Sequence, residues 1–215
     1  MFDRREILVG GAALGLLPIA ARAALPVPAG NRLGFDVLLK GSKLGTHVLT
    51  FEPRGDGLSV HVAVDLVYKL AGITFYHYKH RATETWSGDQ VVGLDATTDD
   101  NGTAYQVAVR RDASGLVVTG NKTPRYVAPA DAMPATHWNR RELEGPWINT
   151  ETGAIARPKI TPLGVDTIPT ANGTTRARHF ALTGDVQMDM WYDDARWAGI
   201  AFSKGGRDVR YVRQA

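Results

Sequence analysis

Apolar and polar residues alternate with a period of two along most of the chain from Leu33 onward. The segments that show this alternation are short, rich in Val, Thr, Tyr and Phe, and separated by Gly or Asp clusters. Because successive side chains of a β-strand point to opposite faces, the pattern predicts an all-β protein. In the clearest segment, residues 58–68, every even position is apolar or aromatic, which predicts a strand with one buried face.

The same pattern places the strands and the break between them. Strands are predicted at 33–39, 46–52, 58–68, 73–86, 90–98, 103–111, 116–119, 147–150, 154–161, 174–182, 185–192, 197–203 and 208–213. Residues 121–134 contain three prolines and no periodicity, so we predict a long loop or crossover there. One helical turn is predicted at 139–144, where Pro146 stops it.

About a dozen antiparallel strands in a single meander must protect their edges. The usual solution is closure, so we predict a curled half-barrel or barrel. The interior of an eight-stranded barrel is just filled by side chains, and a dozen strands enclose more space. We therefore predict a cavity inside the sheet rather than a solid core.

The N-terminus has a different character. Arg4 and Arg5 precede an apolar stretch, 7–21, which is too short to span a membrane and ends in the small-residue pattern Ala21-Arg22-Ala23. Paired arginines here are typical of a twin-arginine export signal. We predict a signal peptide at 1–23, a single β-barrel-like domain at 24–215, and a periplasmic protein without stable membrane insertion once the signal is removed.

Charge and cysteine content narrow the function further. The formal net charge is +3, and the basic residues are scattered rather than clustered, so a nucleic-acid partner is not supported. The chain has no cysteine and therefore no disulfide and no thiolate metal site. We expect no cofactor, and the sequence does not identify a protein partner.

Several motifs together resemble a known group of proteins. They are Tyr76, Tyr78 and His80 at alternate positions, Glu84-x-Trp86, Thr98-Asp99-Asp100-Asn101-Gly102, His137-Trp138-Asn139, Gly184-Asp185-Val186, Trp191-Tyr192-Asp193 and Tyr211. The chain resembles a family of exported bacterial β-proteins of unknown function and, more loosely, the curled sheets of periplasmic lipoprotein carriers. The resemblance implies an antiparallel curled sheet in the periplasm and supplies no catalytic residues.

Our leading hypothesis is a non-enzymatic protein that holds an apolar small molecule or lipid inside this sheet. Apolar burial drives such binding, and a few polar groups at the mouth, such as His137 or Arg81, fix a head group. The ligand-binding residues predicted from strand alternation and aromatic spacing are Phe35, Val37, Val62, Val64, Phe75, Tyr76, Tyr78, Trp138, Met188 and Met190.

The alternative is a periplasmic enzyme. His137 is a candidate general base, oriented by Asn139 or a distant Asp. A metal site is the other candidate, since a turn at 69–72 is expected to place His61 opposite His80, with Glu84 nearby and His77 on the other face with Val64. In the competing structural interpretation Trp138 plugs one end of the barrel, and the histidines of the aromatic strands lie at its surface.

Overall fold

The structure, a computed structural model, describes residues 25–215. They form sixteen β-strands and two short 3-10 helices, at Ala29–Asn31 and Arg140–Glu144, with no α-helix among them. The all-β prediction is confirmed. None of the helices in the described range is long and apolar enough to cross a membrane. The predicted signal peptide at 1–23 lies outside the described residues.

The first half of the chain is a run of hairpins. Its strands are β1 (Arg32–Leu39), β2 (Ser42–Arg54), β3 (Gly57–Leu70), β4 (Ile73–Ser87), β5 (Gln90–Asp100), β6 (Thr103–Asp112), β7 (Gly115–Gly120) and β8 (Tyr126–Ala128). Each strand pairs antiparallel with the next. Two-residue turns connect the strands from β1 to β7, and five of these six turns contain glycine, as expected for tight hairpins.

The last five strands complete the same sheet. They are β12 (Pro158–Thr170), β13 (Gly173–Gly184), β14 (Met188–Asp193), β15 (Arg196–Lys204) and β16 (Arg207–Arg213). Strand β16 pairs antiparallel with β1, which joins both halves into one sheet of 13 strands that runs from β12 through β16, β1 and β2 to β8. The predicted antiparallel meander is confirmed.

The β12 end of this sheet curls back on itself. Thr170 of β12 lies beside Arg213 of β16, and the Ala171 N–H donates to the Arg213 carbonyl at 2.9 Å. Ile168, Trp191 and Ala198 are buried together in a small separate core on this side. The extra contact protects part of the β12 edge, which is the function that closure serves in β-proteins.

Residues 129–157 cross from β8 to β12 and fill one end of the curl. They contain a small sheet of β9 (Met133–Pro134), β10 (Trp147–Ile148) and β11 (Ile155–Ala156), together with the helical turn predicted near 139–144. Trp138, Trp147 and Ile148 are buried in the same core as the inner faces of β1–β7. The loop or crossover predicted at 121–134 is confirmed only in part, since 126–128 form β8 and the connection continues to residue 157 as a structural plug.

One strand extends well beyond its prediction. The pattern ended this strand at Thr161, whereas β12 continues to Thr170 despite Pro162, Gly164 and Pro169. Proline donates no backbone hydrogen bond, so it is tolerated at an edge, and β12 is a terminal strand of the sheet. The pairing of β12 with β13 shifts register between Pro162 and Gly164, where the glycine has φ +107°. This bulge lets the strand continue past the proline.

Candidate functional site

The β3–β4 hairpin shows how the interior of the curl is divided. From the turn inward, the facing pairs on its inner side are Tyr68/Tyr76, Leu66/Tyr78, Val64/His80, Val62/Ala82, Val60/Glu84 and Leu58/Trp86. Pairs near the turn border a cavity of about 510 Å³ that is partly open to solvent. The last two pairs lie in the packed core. The interior is therefore hollow at the turn end and filled at the plugged end.

The cavity walls are mainly apolar. They come from β1 to β4, β14 to β16 and the crossover, and their apolar members are Leu39, Leu44, Val62, Val64, Leu66, Ala135, Met188, Ile200, Phe202 and Val209, with the rings of Tyr68, Tyr76, Tyr78 and Tyr211. These positions alternate along their strands with outward-facing residues, so the period of two in the sequence produces the wall directly.

Two histidines lie in one row across the sheet at the inner limit of the cavity. Strand pairing aligns His47 on β2, Val64 on β3 and His80 on β4. Two strand spacings separate the histidines, about 10 Å. Nδ1 of His80 lies 2.7 Å from the Thr98 hydroxyl, and its Nε2 lies 3.4 Å from that of Thr150. Burial, and then the charge of Arg81, lowers the pKa of His80 to about 4, so this ring is neutral near pH 7.

His47 is enclosed by aromatic rings. Its ring centroid is 5.2 Å from that of Trp197 and 5.7 Å from that of Tyr211, both in edge-on geometry. Burial is the main cause that lowers the pKa of His47 well below its usual value. His47 is therefore a second neutral imidazole in the cavity lining.

His137 enters the cavity from the crossover. Its Nδ1 lies 2.9 Å from Oε1 of Glu142, and its backbone N–H donates to Oε2 of the same carboxylate. Glu142 is only 1% exposed, and the Tyr192 hydroxyl also contacts its Oε1 at 2.9 Å. The backbone of His137 has φ +70°, a conformation that costs a non-glycine residue roughly 1–3 kcal/mol. These contacts fix the orientation of the imidazole in the cavity wall.

Glu84 lies one layer below the cavity. Its carboxylate is fully buried and accepts hydrogen bonds from the indole N–H groups of Trp86 and Trp138, at 2.9 and 3.0 Å, and from the Thr136 hydroxyl. Burial raises the pKa of Glu84, and the three donors oppose that shift. The arrangement anchors the plug to β4.

The rim of the cavity is aromatic and basic. Lys204 lies over the Tyr76 ring, with Nζ 5.5 Å from the centroid, and the guanidinium carbon of Arg207 lies 5.6 Å from the centroid of Tyr68. Within residues 25–215, neither cation forms an ion pair. Tyr78 donates to Glu151 at 2.9 Å, and burial, followed by the Glu151 charge, raises the pKa of Tyr78.

The structure brings together half of the predicted ligand-binding residues. Those that line the cavity are Val62, Val64, Tyr76, Tyr78 and Met188. Those that do not are Phe35, Val37, Trp138 and Met190, which are fully or almost fully buried in tight packing, and Phe75, which is 55% exposed. Alternation identified the inner face, but it does not distinguish a residue beside the cavity from one in the filled end.

The predicted metal set does not converge. His61 pairs with Thr83 rather than His80 and lies on the outer face, where its Nδ1 is 3.1 Å from the Thr83 hydroxyl. His80 is inside and faces Val64, while His77 faces Val67. The predicted register was wrong because the β3–β4 turn is tighter, with a bulge near Tyr68. No group of three His, Asp or Glu residues in the described part of the chain is arranged to hold a metal.

Two further predicted roles are corrected. Asn139 does not orient His137; its side chain accepts from the Arg141 N–H and caps the 3-10 helix, while Glu142 orients the imidazole. Arg81 does not lie at the mouth, because its guanidinium binds Asp65 through two 2.8 Å hydrogen bonds on the outer face. The interpretation of Trp138 as a plug agrees with its burial between the rings of Phe51 and Trp86.

Sequence reasoning missed several polar residues of the site, four of which matter for its chemistry. They are His47, Glu142, Lys204 and Arg207. His47 lies on the apolar face of β2, two residues before Leu49 and four before Phe51, which also point inward. This alternation is the sequence signal that could have identified His47. The two cations flank the β15–β16 turn, whose position at the cavity mouth depends on tertiary curvature and has no local signature.

Comparisons with known proteins agree with this architecture. A crystal structure of a beta-barrel-like protein of the domain of unknown function DUF1849 from Brucella abortus superposes with a TM-score of 0.60 at 11% identity, over 89% of this chain and 97% of that chain. At this identity the likeness shows the fold alone. No curated protein matches the sequence. The predicted similarity to lipoprotein carriers stays a prediction. A family model described as a domain of unknown function, DUF6134, matches residues 35–214, and the chain therefore belongs to that family.

Proposed function

We propose that this protein binds an apolar, lipid-like molecule in the cavity at the turn end of the curled sheet. The observation that carries the proposal is the cavity itself, about 510 Å³ and lined mainly by aliphatic and aromatic side chains. Ligand sites typically enclose roughly 300–1,000 Å³ with apolar walls and a small number of polar groups. The cavity fits this description in both size and lining.

Apolar burial supplies the binding energy. Each methylene removed from water contributes about 0.8 kcal/mol, so a chain of about ten methylenes gains roughly 8 kcal/mol before the cost of association is subtracted. The rings of Tyr68 and Tyr76 extend the apolar surface to the rim. A molecule with one long apolar chain gains more from this site than a compact polar metabolite does.

Filling the cavity tests the proposal. Leu66→Trp places an indole against the cavity, whereas Leu163→Trp makes the same change on β12, where the leucine is 55% exposed and does not line it. We expect Leu66→Trp to weaken binding of a neutral fluorescent apolar probe, N-phenyl-1-naphthylamine, at least tenfold, and Leu163→Trp to leave it unchanged. Equal affinity in both variants and the wild type would rule out this cavity as the site.

The natural ligand can be sought directly. Organic extraction of the purified protein, followed by mass spectrometry, is expected to yield an apolar molecule in near-stoichiometric amount, which the Leu66→Trp variant lacks. Extracts without such a molecule, together with no uptake of the fluorescent probe, would contradict the proposed function.

We also propose that the protein acts in the periplasm after export. The support comes from the sequence of residues 1–23, with Arg4 and Arg5 ahead of an apolar stretch and a small-residue cleavage pattern. Replacing both Arg4 and Arg5 by Lys is expected to retain the protein in the cytoplasm. The exported wild-type protein is expected to begin at Ala24. Unchanged export of the double variant would exclude the twin-arginine route.

An enzyme is the second candidate, and the His137–Glu142 pair favours it. A carboxylate that orients an imidazole in a cavity wall is the arrangement of a general base. Incubation of the extracted ligand with wild type and His137→Gln distinguishes the two functions. Ligand recovered chemically unchanged from both supports a binding protein, and turnover lost in the variant supports an enzyme.

A further inference from the structure

His47 has hydrogen-bonding groups that the described part of the protein leaves unused. The residue is 6% exposed, and neither Nδ1 nor Nε2 has a partner within residues 25–215. Buried polar groups are almost always hydrogen-bonded, and an unsatisfied one costs roughly 1–3 kcal/mol. Since His47 lines the cavity, a bound molecule can supply the missing partner.

Three aromatic rings pack around His47 where it contributes to the cavity lining. The rings of Phe35, Trp197 and Tyr211 pack around the imidazole at centroid distances of 6.5, 5.2 and 5.7 Å. His80 and His137 also belong to this inner part of the lining, and each is already held by a protein side chain, Thr98 and Glu142 respectively. Among these three histidines, His47 is the one with neither ring nitrogen paired to the described part of the protein.

The charges around this inner end disfavour an anion. Burial keeps His47 and His80 neutral near pH 7, since the pKa of each is lowered. Two buried carboxyl groups, Glu84 and Glu142, lie behind the lining, whereas Lys204 and Arg207 are at the rim. His137 is the other imidazole beside His47 in this lining, and its ring already pairs with the buried Glu142 carboxylate. A carboxylate or phosphate placed at His47 would therefore be buried without an unpaired positive partner, which is costly. A neutral imidazole instead offers one N–H donor and one acceptor nitrogen.

We infer that the cavity binds a neutral amphiphile with its polar end inward, so that a terminal hydroxyl or carbonyl oxygen hydrogen-bonds to His47. The apolar chain then extends past Val64 and Leu66 towards Tyr68 and Tyr76 at the rim. This inference rests on the proposed function and names its ligand class: an alcohol, ketone or quinone with an apolar chain, rather than a fatty-acid anion.

A cycle with two matched probes tests the hydrogen bond. Octane and 1-octanol are compared by displacement of N-phenyl-1-naphthylamine from the wild type and from His47→Leu, which is similar in size and apolar. The octanol-to-octane affinity ratio is expected to be about tenfold higher in the wild type than in His47→Leu, because the hydrogen bond to His47 strengthens only octanol binding. The hydration of each probe is the same for both proteins and cancels when the two ratios are compared. Equal ratios would overturn the inference and leave the proposed function intact. Failure of both probes to bind the wild type would instead contradict the proposed function.

Two further measurements do not depend on the variant. In ¹⁵N spectra of the wild-type imidazoles, 1-octanol is expected to shift the His47 resonances and octane to leave them nearly unchanged; no octanol-specific shift would overturn the inference. Octanoate at pH 8 is expected to bind more weakly than 1-octanol. The inference would also be overturned if octanoate bound more tightly than 1-octanol and this advantage disappeared when Lys204 and Arg207 were replaced by Gln. That result would place the polar end of the ligand at the rim.

Discussion

Glu84 joins two distant parts of the chain through three hydrogen bonds. Trp86 is its neighbour on β4, but Thr136 and Trp138 come from the crossover more than fifty residues later. The three donors have no access to water, since each of these residues is 4% exposed or less. A buried donor that loses its acceptor pays its full desolvation cost. Glu84 therefore stabilises the plugged end more than a surface carboxylate could.

Removing the acceptor should be strongly destabilising. Glu84→Leu leaves two indole N–H groups and a hydroxyl unsatisfied, and we expect a loss of about 3 kcal/mol or more in the free energy of unfolding. Glu84→Gln keeps one acceptor oxygen and should lose clearly less. Urea unfolding at pH 7 measures both. Similar stability of the Leu variant and the wild type would show that the three hydrogen bonds contribute little.

At the scale of the elements, glycines set how closely β2 and β3 approach beside the cavity. A Cβ on Gly45 would lie 1.9 Å from the Asp65 carbonyl oxygen, which no rotamer change can relieve because the neighbour is backbone. Gly45 pairs with Leu66, a cavity-lining residue, so the close approach shapes the wall. The alternating pattern predicted both strands. The requirement for glycine at position 45 follows only from the short distance between the β2 and β3 backbones in the structure.

Gly45→Ala is therefore expected to destabilise the protein by about 2 kcal/mol or more, because the strands must move apart. Gly93→Ala on β5 is the matched control: the nearest atom to its added Cβ is 3.6 Å away, an ordinary contact, and its φ is not positive. We expect a change within about 0.5 kcal/mol for the control. Thermal and urea unfolding of both variants measure the difference, and equal losses would refute the steric argument.

For the whole molecule, buried titratable groups make stability depend on pH. The folded state lowers the pKa of His80 to about 4, so between pH 6.5 and 4 the unfolded chain binds a proton that the folded chain does not. The free energy of unfolding therefore falls as the pH falls through this range. His47 acts in the same direction, whereas Glu84, whose pKa is raised, acts in the opposite one.

Comparison with a variant isolates the contribution of His80. Its full effect is about 3 kcal/mol, reached near pH 4, because each pKa unit corresponds to roughly 1.4 kcal/mol. His80→Gln should show a flatter decline in stability between pH 6.5 and 4 than the wild type, since the Glu84 and His47 contributions are common to both. Urea unfolding at several pH values provides the measurement, and parallel pH profiles would contradict the low pKa of His80.

The sequence by itself determined the all-β class, the antiparallel meander, most strands and the inward positions on β3, because a period of two is a local property of a strand. The same local rule ended the edge strand at Thr161, before Pro162 and Pro169, where only the absence of a neighbour makes proline acceptable. Tertiary structure alone decided where the interior is hollow. It depends on how the crossover inserts Trp138 and Trp147, and on a curl that brings His47, His137 and the β15–β16 turn to one cavity. It also depends on the β3–β4 register, which places Thr83 rather than His80 opposite His61. Residues far apart in the chain meet through that curvature, and no short segment encodes it.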